Sequence, residues 1–176
     1  MVQERKVTCY IAISLDGYIA TKDDSLDWLF KVEMEGDAGY AEFMETIDTV
    51  VMGRRTYDWI LEMEKGKVPY PDKKCYVFSN SKSGQEGHVI FTNEDIRTFV
   101  EREKSLPGKD IWVVGGGNLL HSFLKEKLID EFLISIAPTM IGQGIPLFQE
   151  LDFETEFTLK SAQQSGQFTQ MHLVRK

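Results

Sequence analysis

Three short stretches hold the groups best suited to chemistry, and all three are suited to gripping an anion. In Ile111-Trp112-Val113-Val114-Gly115-Gly116-Gly117-Asn118-Leu119 an apolar, β-favouring run meets three glycines, then a segment with helical spacing at Leu120, Phe123 and Leu124. Glycine lets a ligand approach the main chain, and the first turn of a helix offers unpaired N–H groups at the positive end of its dipole. A diphosphate suits that order of strand, glycines and helix. The same order recurs where Thr49-Val50-Val51-Met52-Gly53 runs into Arg54-Arg55-Thr56-Tyr57. Arginines at a helix start oppose the dipole, a conflict that a bound anion removes. Pairing with some of the 28 acidic residues would remove it too. The third stretch, Ser79-Asn80-Ser81, follows the strand-like Cys75-Tyr76-Val77-Phe78 and offers hydroxyl and amide donors. The glycines lack the Lys-Ser/Thr of a P-loop and the spacing of the common dinucleotide fingerprint, so they point to phosphate without saying whose. A strand-to-helix turn that binds nothing is the competing reading.

These stretches need a scaffold that brings strand ends together. Val7–Ser14, Thr49–Gly53, Cys75–Phe78, His88–Phe91, Ile111–Val114 and Glu131–Pro138 read as strands, with helices from Asp37 to Ile47, from Arg54, from Thr92-Asn93-Glu94-Asp95 to about Lys104, and from near Asn118. Asp37 is a plausible N-cap for a face of Tyr40, Phe43, Met44 and Ile47. Between Thr21 and Gly36 little periodicity is visible, and so long a loop points to a functional role. Beyond Gly142, Gly144 and Pro146 the pattern changes. Phe157–Ser161 and Phe168–Val174 alternate apolar with polar around Ser165-Gly166, which is a hairpin. The expected architecture is a single domain over residues 1–176, α/β, with a mixed, mostly parallel sheet and an antiparallel end.

A net charge of −8 argues against binding nucleic acid through a broad basic face. No run approaches the ~20 apolar residues of a membrane span, and Met1 to Lys6 carries no signal-type leader, so the expected compartment is the cytoplasm. Cys9 and Cys75 each sit in an apolar stretch, as buried thiols rather than a disulfide or metal pair. His88, His121 and His172 lack metal-ligand spacing, so no metal is expected.

Taken together, Ile11-Ala12-Ile13 with a long loop to Trp28, Val51-Met52-Gly53-Arg54-Arg55-Thr56-Tyr57, Phe78-Ser79-Asn80-Ser81, Val114-Gly115-Gly116-Gly117 and the hairpin end resemble the dihydrofolate-reductase-like fold, a three-layer arrangement of helices around a central sheet. Ser14-Leu15-Asp16-Gly17 with Ile19-Ala20 is similar to one branch, the reductase domain of the bifunctional riboflavin-biosynthesis deaminase/reductase and its stand-alone bacterial relatives. The resemblance implies NADPH as cofactor and a homodimer. It implies that the backbone of Ile13 and Ala20 holds the nicotinamide carboxamide, that Gly53, Arg54, Arg55 and Thr56 receive phosphates, and that Ser79, Asn80 and Ser81 meet the adenosine end. Gly115, Gly116, Gly117, Asn118 and Leu119 would cradle the diphosphate, with a cis peptide between Gly115 and Gly116. Asn118 stands where many folate reductases carry a basic residue, which leaves the 2′-phosphate to Arg54 or Arg55.

On the substrate side the resemblance implies an acid that helps protonate the ring. Counting from Trp28 points to Glu33 and counting back from Met52-Gly53 points to Asp37, which is preferred because the helix and strand form a rigid unit; Asp37 as a cap alone is the competing reading. Asp16 is a second carboxylate with a claim, against an ordinary Asp-Gly turn. Trp28 would lie over the pocket mouth, and Ser135 occupies the place of a hydroxyl that supports the acid. The implied activity is NADPH-dependent reduction of a small nitrogen heterocycle, of the 5-amino-6-(5-phosphoribosylamino)uracil type. The alternatives are dihydrofolate reduction and a nucleotide-binding module without chemistry. A phosphotransferase ranks last, for want of a lysine after the glycines.

Overall fold

The structure, a computed structural model, describes residues 4–176; Met1–Gln3, the start of the stretch read as leaderless, lie outside the described residues. Strand β1 (Val7–Ile13) is followed by a short β2 (Tyr18–Ala20), then α1 (Asp27–Phe30), α2 (Tyr40–Glu45), β3 (Ile47–Gly53) and α3 (Arg54–Met63). Next come β4 (Lys74–Phe78), β5 (Gly84–Glu86), β6 (Val89–Thr92), α4 (Ile96–Ser105), β7 (Asp110–Gly115) and α5 (Gly117–Lys125). The chain closes with β8 (Glu131–Ile136), β9 (Ile145–Pro146) and the hairpin β10 (Phe157–Ser165) and β11 (Phe168–Arg175).

Nine strands form one sheet in the order β10-β11-β8-β1-β7-β3-β4-β6-β5, while β2 and β9 pair separately. The contacts among β8, β1, β7, β3, β4 and β6 are parallel; β11 on β8, β10 on β11 and β5 on β6 are antiparallel. The central strands are apolar on both faces because helices cover both. Val51, Tyr76, Ile111 and Val113 pack with Phe99 and Val100 of α4 and Leu120, Phe123 and Leu124 of α5. Their alternating neighbours Val50, Met52, Cys75, Val77 and Trp112 pack with Phe43 of α2 and Tyr57 of α3. Full burial of a Leu or Phe side chain stabilises by about 1.5–3 kcal/mol. Leu120 and Phe123 are wholly buried, and they seat α5 with its N-terminus at the sheet's edge.

Several boundaries differ from the sequence expectation. The helix expected over Asp37–Ile47 is only Tyr40–Glu45, because Ile47 already belongs to β3, paired with Asp110 of β7. The stretch from Thr21 to Gly36, expected as a loop, contains α1, and the Asp16-Gly17 turn before it leads into β2, which gains order from pairing with β9. Strand β5 was not visible in the sequence: its three residues, Gly84, Gln85 and Glu86, are all exposed. Cys9 and Cys75 are buried free thiols, and burial pushes Cys75 up to about 12. Among the described residues no helix is long and apolar enough to cross a membrane, and no three His, Cys, Asp or Glu side chains cluster to hold a metal ion.

Candidate functional site

Gly53, Ser79 and Gly115 lie on one rim. Because β7, β3 and β4 are parallel neighbours, their C-terminal ends fall side by side: Met52 pairs with Gly115 and Gly53 with Phe78, one residue before Ser79. Two helices start there. The N-cap of α3 is Gly53 and that of α5 is Gly116, and neither helix has a side chain capping its first turn. The leading N–H groups of both helices are therefore open to a ligand. The two starts nearly touch: a Cβ on Gly53 would stand 3.9 Å from the Gly115 carbonyl and the Gly116 nitrogen, and one on Gly116 would stand 3.1 Å from the Thr56 hydroxyl. The Gly115–Gly116 peptide is cis, as the resemblance implies. Of the two residues that follow on α5, Asn118 is exposed, with its amide oxygen accepting from Gln149, while Leu119 is half-buried against the apolar core.

The cations behind this rim divide into two kinds. Arg55 is exposed and its guanidinium is bonded to Asp24, which latches the 21–26 loop to the start of α3. Arg54 engages Asp58 through Nε at 2.8 Å, its terminal N–H groups have no hydrogen-bond acceptor among the described residues, and its guanidinium lies over Phe91. On the same ring, Lys82 Nζ stands 4.2 Å from the centroid while pairing with Glu86. Ser79 Oγ accepts from the backbone N–H groups of Ser81 and Lys82 and so shapes its own turn, whereas Asn80 and Ser81 are exposed.

The sheet opens beside this rim. Strand β1 pairs with β7 only at Val7 and Thr8, although both strands run on to Ile13 and Gly115. Backbone groups along a strand alternate in direction. The Tyr10 carbonyl points to the β7 side, where the Trp112 indole donates to it, and the Ile13 carbonyl points to the β8 side, where it accepts from the Ala137 N–H. The Ile13 carbonyl is therefore turned away from the gap and engaged by the residue that follows β8. Ala12, in step with Tyr10, presents its main chain to the gap. Ala20 lies over the rim in the β2–β9 pair, packed so closely that a Cβ on Gly144 would stand 2.2 Å from its carbonyl.

Two of the three expected acids, Asp16 and Asp37, are engaged in structural work. Asp16 accepts from Ser14 Oγ and from the N–H groups of Ile141 and Gly142, fastening the loop after β1 to the loop after β8. The hydrogen bond from Ser14 and those from the two amides hold its carboxyl below the usual range. Asp37 accepts from the N–H groups of Ala41 and Gly39, which lower its pKa in the same way, and it is exposed. An exposed carboxylate held ionised is an acceptor and not a proton donor at neutral pH. Glu33 is exposed too, and its main-chain carbonyl accepts from the Gln167 N–H.

A groove of about 430 Å³ runs along the sheet face between α2 and the hairpin, lined among others by Tyr10, Ala38, Phe43, Ser135 and Gln170. Gln170 Nε2 donates to Ser135 Oγ at 3.2 Å and to the Ala38 carbonyl at 3.1 Å, while Tyr10 Oη donates to that same carbonyl. Ser135 and the Asp37–Ala38 segment are thus joined. Trp28 carries a buried indole N–H with no partner among the described residues, a donor that asks for an acceptor from a ligand or a water.

Sequence reasoning missed Lys82, Ala12 and Gln170. Alternation along β11 could have found Gln170, which pairs in register with Ser135. Nothing local marks Lys82, whose ammonium is placed over Phe91 by the turn at Ser79, nor Ala12, whose direction depends on where β1 parts from β7.

Comparison with known proteins agrees with this architecture. Residues 5–171 match the family described as RibD C-terminal domain. Two proteins of Bacillus subtilis (strain 168), both described as uncharacterized, are similar over nearly the whole length. YwjB is 50% identical across 98% of this chain and 99% of its own, and YyaP is 35% identical across 90% and 87%. A crystal structure from Shewanella sp. PV-4, provisionally titled a riboflavin biosynthesis protein, superposes with a TM-score of 0.88 at 33% identity, covering 97% of this chain and 99% of that one. RibD of Acinetobacter baumannii superposes with a TM-score of 0.69 at 19% identity, with 98% of this chain lying on 58% of that one. The fold is α/β and dihydrofolate-reductase-like.

Proposed function

Since the chain belongs to the RibD C-terminal domain family, we propose that it works as one domain, a cytoplasmic NADPH-dependent reductase of a small nitrogen heterocycle. The favoured substrate is an aminopyrimidine of the 5-amino-6-(5-phosphoribosylamino)uracil type. The observation that carries this reading is the rim, where two helix starts with open N–H groups meet at glycines beside a gap in the sheet.

The residues fit the cofactor. A side chain at Gly53 or Gly116 would fill the cradle, and the N–H groups of Arg54, Arg55, Gly117, Asn118 and Leu119 would hold the diphosphate. Thr56, beside the cis peptide, adds a hydroxyl. Arg54, Lys82, Asn80 and Ser81 would receive the 2′-phosphate and adenosine end, and Arg55 is the reserve cation that Asp24 now engages. The main chain of Ala12, in place of Ile13, and the strap carrying Ala20 would hold the carboxamide. Bound in this way, NADPH supplies the hydride.

The chain itself contributes orientation and exclusion of water. Ser135 accepts from Gln170, so its own proton is free to donate into the groove. Trp28 would offer its indole N–H at the mouth. Asp37, held ionised, would accept from a substrate amino group, and the proton for the product nitrogen would then come from solvent; Asp16 would serve as a structural carboxylate, and Glu33 through its main-chain carbonyl. The test is oxidation of NADPH in the presence of the ribosylaminopyrimidine phosphate and, separately, dihydrofolate. Turnover of the first supports the proposal, and comparable or faster turnover of dihydrofolate would replace it with folate reduction. The engagement of both Asp16 and Asp37 favours one second reading, a nucleotide-binding module without chemistry. Deuterium transfer from 4-deuterated NADPH to a product excludes that reading.

A homodimer is part of the proposal. Strand β10 is an uncovered sheet edge, exposed along nearly its full length and carrying Leu159, which suits pairing with a second copy. The mass in solution by light scattering distinguishes monomer from dimer.

A further inference from the structure

We propose that the turn of the C-terminal hairpin is a clamp that sets the substrate wall, residues 33–38, and that Gly166 and Gln170 are positioning residues for it; the functional half of this inference rests on the reductase reading above. The order of β11, β8 and β1 brings the hairpin turn to the same edge of the sheet as the ends of β8 and β1, since Thr169 pairs with Ile136 and Ile136 with Ile13. There the turn presses on the 33–38 segment. The Gln167 N–H donates to the Glu33 carbonyl at 2.9 Å, and Ser165 Oγ donates to the Glu35 carbonyl at 3.1 Å. Three residues further along β11, Gln170 donates to the Ala38 carbonyl and to Ser135.

Gly166 is the tightest point. Its φ of +58° lies in the left-handed region, and a Cβ there would stand 2.5 Å from the Glu33 carbonyl, 2.8 Å from the Met34 Cα and 2.8 Å from the Glu35 nitrogen. The obstructing atoms are main chain, so they cannot rotate aside. Any side chain at 166 must push residues 33–35 away from the hairpin. What moves with them is the start of α2, whose first N–H groups are held by Asp37, and the Ala38 carbonyl that shares Gln170 with Ser135. The wall and floor of the groove are thus coupled to a turn well separated from them in sequence. The cofactor rim, built on β3, β4 and β7, makes none of these contacts.

The experiment compares wild type with Gly166→Val and, should that variant fold poorly, Gln170→Met, which keeps side-chain size while removing both donors. Two readouts are taken: hydrogen exchange of the Gly39 and Ala41 amides, and KM for the ribosylaminopyrimidine phosphate alongside Kd for NADPH. The clamp predicts exchange at Gly39 and Ala41 faster by about tenfold and a KM raised by about three- to tenfold, the scale of one lost hydrogen bond, with NADPH affinity unchanged. Unchanged exchange in a folded variant overturns the clamp. Faster exchange with unchanged KM overturns its role in the site. A wild-type protein that turns over no substrate refutes the reductase reading, and the exchange result then decides the clamp by itself.

Discussion

The two halves of the site use their polar groups in opposite ways. Along the rim of β3, β4 and β7 the donors are main-chain N–H groups at two helix starts, and no side chain among the described residues caps them. Across the β1–β8–β11 side the polar side chains are engaged within the protein: Asp16 fastens two loops, Asp37 holds the first turn of α2, and Gln170 ties Ala38 to Ser135. Open donors next to engaged acids are the arrangement on which the proposal of an anionic cofactor rests. On the substrate side the carboxyls of Asp16 and Asp37 are held low by hydrogen bonds, while burial raises that of Asp110, which also lines the groove.

Five substitutions sharpen or break that contrast. The largest effect is expected at Gly53→Val. A Cβ there meets only ordinary van der Waals contacts at 3.9 Å, so the fold should hold while the side chain enters the cradle. NADPH affinity by calorimetry should fall about 100-fold, the scale of one or two hydrogen bonds to a charged group; retained affinity would place the cofactor elsewhere. Next come Arg54→Ala and Lys82→Ala, each expected to weaken NADPH by about tenfold and NADH little, and more so at low salt. If NADH weakens equally, the pair does not read the 2′-phosphate.

Asp37→Asn should lower kcat by less than about tenfold, because a group acting as general acid or base contributes typically ~10²–10⁴-fold. A fall of two orders of magnitude would move Asp37 from cap to proton path. The smallest effect on binding belongs to Asp16→Asn, which should leave NADPH affinity unchanged and lower Tm. Its sign with pH is fixed: a carboxylate whose folded pKa lies below the ordinary 3.8 stabilises above that value, and the contribution is lost as pH falls through the folded pKa. The Tm gap between wild type and Asp16→Asn should therefore be full near neutrality and close below about pH 3.8. A gap that widens in acid would contradict the bonding described for Asp16.

Much of the rim was legible because its signals are local. A β-run ending in glycine before helical spacing marks both Gly53 and Gly115, and Asp95 does cap α4 by accepting from the Thr98 N–H. The hairpin was legible from alternation around Ser165-Gly166. What escaped depends on distant partners. Strand β2 exists through β9, the separation of β1 from β7 follows from where their pairing stops, and Lys82 joins the rim by stacking on Phe91. Ile13 and Ala12 differ only in which neighbour their main chain faces, and spacing does not carry that information. Gly166 reads as a turn glycine in sequence, and only the fold shows Glu33 and Glu35 lying against it.

The central claim is that the rim clasps a pyridine dinucleotide, and a backbone amide NMR titration of the wild-type protein with NADPH tests it most directly. The account predicts saturable shifts at Gly53, Arg54, Arg55, Gly116, Gly117, Asn118 and Leu119, extending to Ala12, with weaker binding of NADH. Shifts confined to the groove around Ser135 and Gln170, or none at millimolar NADPH, would contradict it.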